Sequence, residues 1–174
     1  MDPEAALKYS VQRLGPRYSE VVEGLIVLSE PMWDHEKVVD QIRDQLREKV
    51  RELDCLMGSG DLDLPGSLNW FVPDLAVVPA VLAEGAGALL PEQTLLVVEA
   101  TSESNAENDR SVKRKRYGQY GAPLYLLLDR QRLEWTLFSE PHALGYAKQD
   151  GPHPFGTTIF LPAPFELELN TSRL

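Results

Sequence analysis

Three ionisable side chains lie where the sequence predicts core elements to end. Asp74 follows Pro73 within a strand pattern, Glu99 comes near the end of the apolar run 95–100, and Lys113 is on the helix predicted to follow. A carboxylate at the end of an apolar run is costly to desolvate unless it is paired or bound to a cation. Glu99 is therefore the most informative single residue of the sequence.

Two carboxylates and an ammonium that converge in one cleft have the chemistry that phosphodiester hydrolysis requires. Carboxylate oxygens suit Mg²⁺ or Mn²⁺, a hard cation that acidifies water and neutralises phosphoryl oxygens, and a lysine positions the nucleophile or stabilises charge. The alternative is structural: Asp74 caps a turn, Glu99 caps the following helix, and Lys113 pairs with Asp109 on the surface. The residue types and spacings alone leave both interpretations open.

The helix after Glu99 has a face on which ionisable and aromatic residues alternate. Asp109, Lys113 and Tyr117 are spaced four residues apart, so they share one side of a helix. The aromatic residue on this face indicates that it points toward the protein, which would hold Lys113 inward with Asp109 as its ion-pair partner.

The composition predicts one domain over residues 1–174 in a cytoplasmic, soluble protein. The 174-residue chain is long enough for one sizeable core and short for two domains. The lone Cys55 excludes an internal disulfide and is expected to be a buried small hydrophobe. Residues 1–15 lack the features of a signal peptide, and no apolar run approaches the ~20 residues of a membrane span.

The charge of the chain bears on nucleic-acid binding. A net charge of −10 argues against a broad DNA-wrapping surface, which usually carries an excess of Lys and Arg. Five basic residues nevertheless fall within residues 110–116. This basic cluster would be either a local phosphate-binding patch or a solvated helix face. Its members are Arg110, Lys113, Arg114, Lys115 and Arg116.

The first half of the chain predicts two helices and several strands. Asp2 and Pro3 suit the start of a helix that Gly15 and Pro16 would stop, and two short strands flank the turn at residues 23–24. Apolar residues then recur at helical spacing from an N-cap at Asp34 to residue 53. Residues 69–78 predict a single strand, with an edge or a break in pairing at its proline.

The second half predicts a strand–helix–strand crossover. Residues 95–100 and 124–129 are continuous apolar runs typical of strands buried on both faces, and residues 106–120 between them predict a helix. This pattern is typical of a βαβ unit with parallel strands, and it indicates a mixed α/β fold. Further strands are predicted at 133–138, 157–161 and 165–169.

An ordered series of motifs spans residues 18–139. The series comprises Glu20-Val21-Val22-Glu23-Gly24, His35, Val72-Pro73-Asp74, Val97-Val98-Glu99-Ala100-Thr101-Ser102, Asp109 with Lys113, Tyr117 and Gly121, and Tyr125 with Asp129. In this order the motifs resemble the Uma-two family of restriction-endonuclease-like proteins, which is similar to the PD-(D/E)xK nucleases.

The resemblance implies a central mixed sheet flanked by helices and a Mg²⁺- or Mn²⁺-dependent DNA endonuclease. It implies Asp74 and Glu99 as metal ligands and Lys113 as the catalytic amine. In the common nuclease pattern the lysine comes two residues after the second acid, but Thr101 occupies that position here. Such nucleases often pair to cut two strands, so the resemblance is compatible with a homodimer, but the sequence leaves the oligomeric state open.

Other residues support several interpretations. His35 would approach the metal, carry protons or serve structure, and Glu36 would be an additional acid of the first long helix. Glu20 matches the family's opening motif, but the sequence gives its side chain no direction. His142 and His153 are expected in loops, and Trp33, Trp70 and Trp135 in the core or at its rim.

Two rival functions belong to other classes. A nuclease fold without catalysis would serve as a binding or assembly module. A phosphodiesterase acting on a substrate other than DNA would agree better with the acidic composition.

Overall fold

The computed structural model describes residues 2–14, 19–28 and 32–174. The helices in these residues are α1 (Pro3–Leu14), α2 (Trp33–Glu52), α3 (Ala80–Ala83) and α4 (Arg114–Gln119). The strands are β1 (Ser19–Val22), β2 (Leu25–Leu28), β3 (Cys55–Gly58), β4 (Leu62–Leu64), β5 (Asn69–Phe71), β6 (Leu75–Pro79), β7 (Leu96–Ala100), β8 (Leu124–Asp129), β9 (Glu134–His142), β10 (Gly145–Pro154), β11 (Ile159–Leu161) and β12 (Leu167–Leu169). Within these residues no helix combines the length and the apolar character that crossing a membrane would require.

The strands form a central sheet and two smaller ones. The central sheet has six strands in the order β10-β9-β8-β7-β6-β3, and only β7 and β8 are parallel neighbours. A four-stranded sheet has the order β2-β1-β5-β4, and β11 pairs with β12. The expected mixed sheet with flanking helices is therefore confirmed.

The predicted crossover is present between the two parallel strands. Helical backbone covers residues 106–119 and has the wider π-helical form over Asn108–Lys113 before α4 continues it. π-Helical turns are rare and often occur at functional sites. This helix ends at Gln119, and the chain then turns at Gly121, whose φ of +80° is easily adopted by glycine, before Pro123.

The central sheet is covered on both faces. Buried apolar residues of α2, such as Ile42 and Leu46, pack in one cluster with Val98. On the opposite face Val97 packs in a second cluster with Tyr117 of α4. Because side chains alternate along a strand, Glu99 lies on the same face as Val97, beneath the crossover helix.

The segment 69–78 forms two strands and not the single strand predicted. β5 belongs to the four-stranded sheet, whereas β6 belongs to the central sheet, so the chain passes from one sheet to the other across residues 72–74. Pro73 cannot donate a ladder hydrogen bond, and the expected break in pairing is found there. Asp74 thus lies at the point where the chain enters the central sheet.

The long hairpin of β9 and β10 corrects the predicted loop positions of two histidines. His142 ends β9 and His153 lies in β10, where the pairing shifts register between Asp150 and His153. Cross-strand pairing within the hairpin overrides the local turn preference of the prolines, which an edge strand such as β10 tolerates.

Two further predictions about α2 and the tryptophans need correction. The helix begins at Trp33 after an N-cap at Met32, two residues before the N-cap predicted at Asp34. The Trp33 side chain is 92% exposed and contributes nothing to the core, whereas Trp70 and Trp135 are buried as expected. Cys55 is also buried.

A close backbone approach between α4 and β10 generates a stability prediction. A Cβ atom on Gly118 would fall on the backbone carbon and oxygen of Gly145. Glycine to alanine within an open helix usually stabilises by about 1 kcal/mol, but overpacking costs about 1–3 kcal/mol. We therefore expect Gly118→Ala to lower the free energy of unfolding, measured by urea denaturation.

Gly60→Ala is the matched control, since a Cβ atom added to Gly60 would meet no described atom within 4 Å. Its effect is expected within about 0.5 kcal/mol. A stabilised Gly118→Ala protein would show that α4 does not dock as described.

Candidate active site

Asp74 and Glu99 lie next to each other at one end of the central sheet. β6 and β7 are antiparallel with Leu75 opposite Val98, so the following pair in this register is Asp74 and Glu99. The backbone N–H of Asp74 donates to Glu99 Oε2 at 3.3 Å. The backbone N–H of Ala100 donates to Asp74 Oδ2 at 2.7 Å. The structure therefore brings together these two acids, which are far apart in sequence.

Lys113 reaches this sheet end from the π-helical turn. Its Nζ lies 2.8 Å from Glu20 Oε1, 3.0 Å from Glu99 Oε1 and 3.5 Å from Asp109 Oδ1. The hydroxyl of Tyr117 donates to Glu99 Oε1 at 2.8 Å. All of these side chains are buried. We call Glu20, Asp74, Glu99 and Asp109, together with Lys113, the acidic cluster.

Lys113 is held as a cation. Burial alone would lower the pKa of Lys113, but the charges of Glu20 and Glu99 outweigh burial and raise this pKa well above its usual range. The side chain therefore remains an ammonium near neutral pH and cannot accept a proton there. Its chemistry is that of a fixed positive charge.

Four carboxyl groups surround the one ammonium of the cluster, and the pKa values of two of them are raised. Burial raises the pKa of Asp109 to about 7 even though Lys113 opposes this shift. Burial also raises the pKa of Glu99 well above its usual range, again opposed by Lys113. Asp109 Oδ1 is buried without a hydrogen-bond partner. Additional positive charge at this site would favour the ionised carboxylates.

His35 approaches Asp74 from α2. Its Nε2 lies 3.0 Å from Asp74 Oδ2 and 3.0 Å from the carbonyl oxygen of Ala100. Both of these atoms are acceptors, so Nε2 carries the hydrogen and is not available as a metal ligand. Burial lowers the pKa of His35, but Asp74 outweighs it and the net shift is upward. The interaction orients the Asp74 carboxylate.

Glu36 lies outside the acidic cluster. Its Oε1 is 3.4 Å from His35 Nδ1, and its side chain is 45% exposed. The structure brings Glu36 beside the histidine but gives it no contact with Asp74 or Glu99 among the described residues.

Thr101 lies two residues after Glu99, where the common nuclease pattern has its lysine, and its hydroxyl hydrogen-bonds away from the acidic cluster. Its buried hydroxyl donates to Gln131 Oε1 at 2.5 Å and accepts the backbone N–H of Arg130 at 2.9 Å. The hydroxyl therefore serves the turn between β8 and β9, and the ammonium beside Glu99 comes from Lys113.

The basic cluster is largely paired within the protein. Arg110 donates to both oxygens of Asp129 at 2.6 and 2.8 Å, and Arg116 donates to both oxygens of Glu23 at 2.7 and 2.8 Å. Lys113 is buried, and the exposed residues of the basic cluster are Arg114 and Lys115. A positive surface at this helix is therefore small.

The Arg110–Asp129 pair is a positioning contact that the residue spacings did not reveal. It ties the π-helical turn to the end of β8, and the Tyr125 hydroxyl adds a hydrogen bond to the Asp109 carbonyl oxygen at 2.8 Å. The sequence does contain one indication of this contact. Asp129 is an acidic residue at the end of the apolar run 124–129, just as Glu99 lies near the end of the run 95–100.

The donor set of the acidic cluster fits a hard divalent cation. Its ligating atoms would be carboxylate oxygens, which Mg²⁺ and Mn²⁺ prefer, and its four carboxyl groups outnumber its single ammonium. Across residues 2–14, 19–28 and 32–174, no group of three or more His, Cys, Asp or Glu side chains has the arrangement of a metal site. Asp74 and Glu99 are neighbouring carboxylates at one end of the central sheet, and they are the candidates for holding a divalent cation.

Comparisons with known proteins agree with this architecture. The model of the Uma2 family, described as "putative restriction endonuclease", matches residues 4–172. A crystal structure from Anabaena variabilis ATCC 29413, described as a putative nuclease belonging to DUF820, has a similar fold. Its sequence is 16% identical, the TM-score is 0.69, and the match covers 88% of this chain and 87% of that chain. No curated protein matches the chain.

The buried Asp109 carboxyl generates a prediction about pH and stability. Its ordinary pKa of 3.8 applies to the unfolded chain, whereas the folded protein raises the pKa of Asp109 to about 7. The folded state thus holds the extra proton between these values, and the free energy of unfolding falls as the pH rises through this window. The Asn side chain of the Asp109→Asn variant has no carboxyl proton to lose, so this pH-dependent fall in the free energy of unfolding is absent from the variant.

We expect urea denaturation to show the variant gaining stability relative to wild type between about pH 5 and about pH 8, by more than about 1 kcal/mol. The comparison of both proteins at both pH values cancels the contributions of other groups. An equal difference at the two pH values would contradict the raised pKa.

Proposed function

Because the chain belongs to the Uma2 family, we propose that it is a Mg²⁺- or Mn²⁺-dependent endonuclease that hydrolyses phosphodiester bonds in DNA. The observation that carries the proposal is the meeting of Asp74, Glu99 and the Lys113 ammonium at one end of the central sheet. The similar fold of the Anabaena protein described as a putative nuclease adds support.

Asp74 and Glu99 would hold the divalent cation. Each carboxylate is anchored by a backbone N–H from the neighbouring strand, which fixes its direction before any ion binds. His35 adds a second donor to Asp74 Oδ2. When bound, the cation supplies Lewis-acid chemistry, since it neutralises phosphoryl oxygens and acidifies water.

Lys113 would stabilise the negative charge that develops on the phosphoryl group. Its raised pKa keeps the side chain cationic, so an electrostatic role is favoured over that of a general base. Glu20 and Asp109 position the ammonium, and Tyr117 fixes the Glu99 oxygen that the ammonium contacts. In the reaction the water oxygen would bond to phosphorus and release a proton, the P–O bond to the leaving oxygen would break with its electron pair on that oxygen, and that oxygen would take up a proton.

The charge distribution bears on the substrate. With a net charge of −10 and only Arg114 and Lys115 exposed in the basic cluster, phosphate contacts would be local and few. This observation favours a second candidate, a phosphodiester substrate smaller than duplex DNA. A small diester such as bis(4-nitrophenyl) phosphate tests that candidate directly.

The test is the nicking of supercoiled plasmid in Mg²⁺ or Mn²⁺. We expect cleavage by wild type, its loss in EDTA, and a fall of about 100-fold or more in Asp74→Asn, Glu99→Gln and Lys113→Met. These substitutions remove charge with little change in side-chain volume.

Glu107→Gln serves as the matched control, because Glu107 is exposed on the same helix and belongs to neither the acidic nor the basic cluster. This control should retain wild-type cleavage. Equal background from wild type and all three site variants would remove the endonuclease proposal. Hydrolysis of the small diester without plasmid nicking would favour the second candidate, and folded protein inactive on both substrates would favour a binding or assembly module.

A further inference from the structure

One ammonium is shared by three carboxylates in the acidic cluster. Lys113 Nζ lies within 3.0 Å of both Glu20 Oε1 and Glu99 Oε1, and Asp109 Oδ1 is 3.5 Å away. Glu99 is also a proposed ligand of the divalent cation. The ammonium and the cation therefore have the same carboxylate as a partner.

We propose that the Lys113 ammonium and the divalent cation compete for Glu99, and that Glu20 with Asp109 holds the ammonium while the cation is bound. This inference rests on the proposed metal-dependent function and assigns a role to two acids that the proposed reaction does not need as ligands. Lys113 thereby acts as the counter-ion of Glu99 in the metal-free protein.

The contacts of Glu99 explain why the two cations compete. Its Oε1 accepts both the Lys113 ammonium and the Tyr117 hydroxyl, while its Oε2 accepts the Asp74 N–H at 3.3 Å. A divalent ion on this carboxylate would lie close to an ammonium in a buried site where solvent screening is weak. Mutual repulsion then favours the movement of the flexible lysine side chain away from Glu99.

Glu20 and Asp109 are suited to receive the displaced ammonium. Glu20 Oε1 is already 2.8 Å from Nζ and is fixed by the Val72 N–H at 2.8 Å. Asp109 Oδ1 is buried, has no hydrogen-bond partner and faces Nζ at 3.5 Å. A small movement of Nζ would bring it to this oxygen and keep its charge compensated.

Calorimetric titration with Mn²⁺ tests the competition in the absence of any substrate. We expect Lys113→Met to bind Mn²⁺ at least about tenfold more tightly than wild type, because the competing positive charge is gone. Lys115→Met, which removes an exposed charge from the same helix, should bind Mn²⁺ as wild type does. A lysine that acts only on the transition state would leave the affinity unchanged.

A double-mutant cycle separates holding the ammonium from ligating the metal. Glu20→Gln should weaken Mn²⁺ binding in the wild-type background, since the ammonium then depends more on Glu99. The same substitution should have no effect in the Lys113→Met background. A loss of affinity in both backgrounds would make Glu20 a metal ligand and would overturn its assigned role.

Crystals of the wild-type protein give a measurement that does not depend on variants that unfold. With Mn²⁺ present, the distance from Nζ to Glu99 Oε1, 3.0 Å here, should exceed 4 Å while the Glu20 contact persists. Mn²⁺ binding with this distance unchanged and with no gain in Lys113→Met would overturn the competition and leave the endonuclease proposal intact. No Mn²⁺ binding by any of the proteins would overturn both.

Discussion

The ion pair of Lys113 with Glu99 and Glu20 is the interaction on which the organisation of the site depends. A buried ammonium is costly unless carboxylates compensate it, and buried carboxylates are costly without a cation. The three side chains come from three different elements, namely the π-helical turn, β7 and β1. Loss of Lys113 would leave the buried carboxylates without a counter-ion, so the elements must pack together with their charged partners aligned.

This constraint explains why the break in strand pairing between β5 and β6 matters for the site. The Val72 N–H fixes Glu20, and Asp74, two residues later, lies beside Glu99. The break that Pro73 imposes on strand pairing thus places an anchoring group and a candidate metal ligand on opposite sides of one short turn. The Arg110–Asp129 pair fixes the other side of the site, where the helix begins.

Local patterns in the sequence were sufficient to predict some of this arrangement and insufficient for the rest. Two apolar runs around a helical segment predicted the βαβ unit, and four-residue spacing predicted the shared face of Asp109, Lys113 and Tyr117. The direction of Glu20 depends on pairing between β1 and β5, which sequence spacing does not encode. The length of the β9–β10 hairpin depends on cross-strand pairing that continues past its prolines, which the local turn preference of proline does not predict. The exposure of Trp33 depends on the packing of α2, which its residue type does not predict.

The division of the acidic cluster between two sheets has a mechanical consequence. Glu20 lies in the four-stranded sheet, whereas Glu99 lies in the central one, and the lysine between them contacts both. A displacement of one sheet relative to the other would therefore alter the coordination of the ammonium together with the apolar packing that Phe71 shares with Val97. Strain applied at the periphery of the molecule, far from the carboxylates, would in this way be transmitted to the charge balance at its centre.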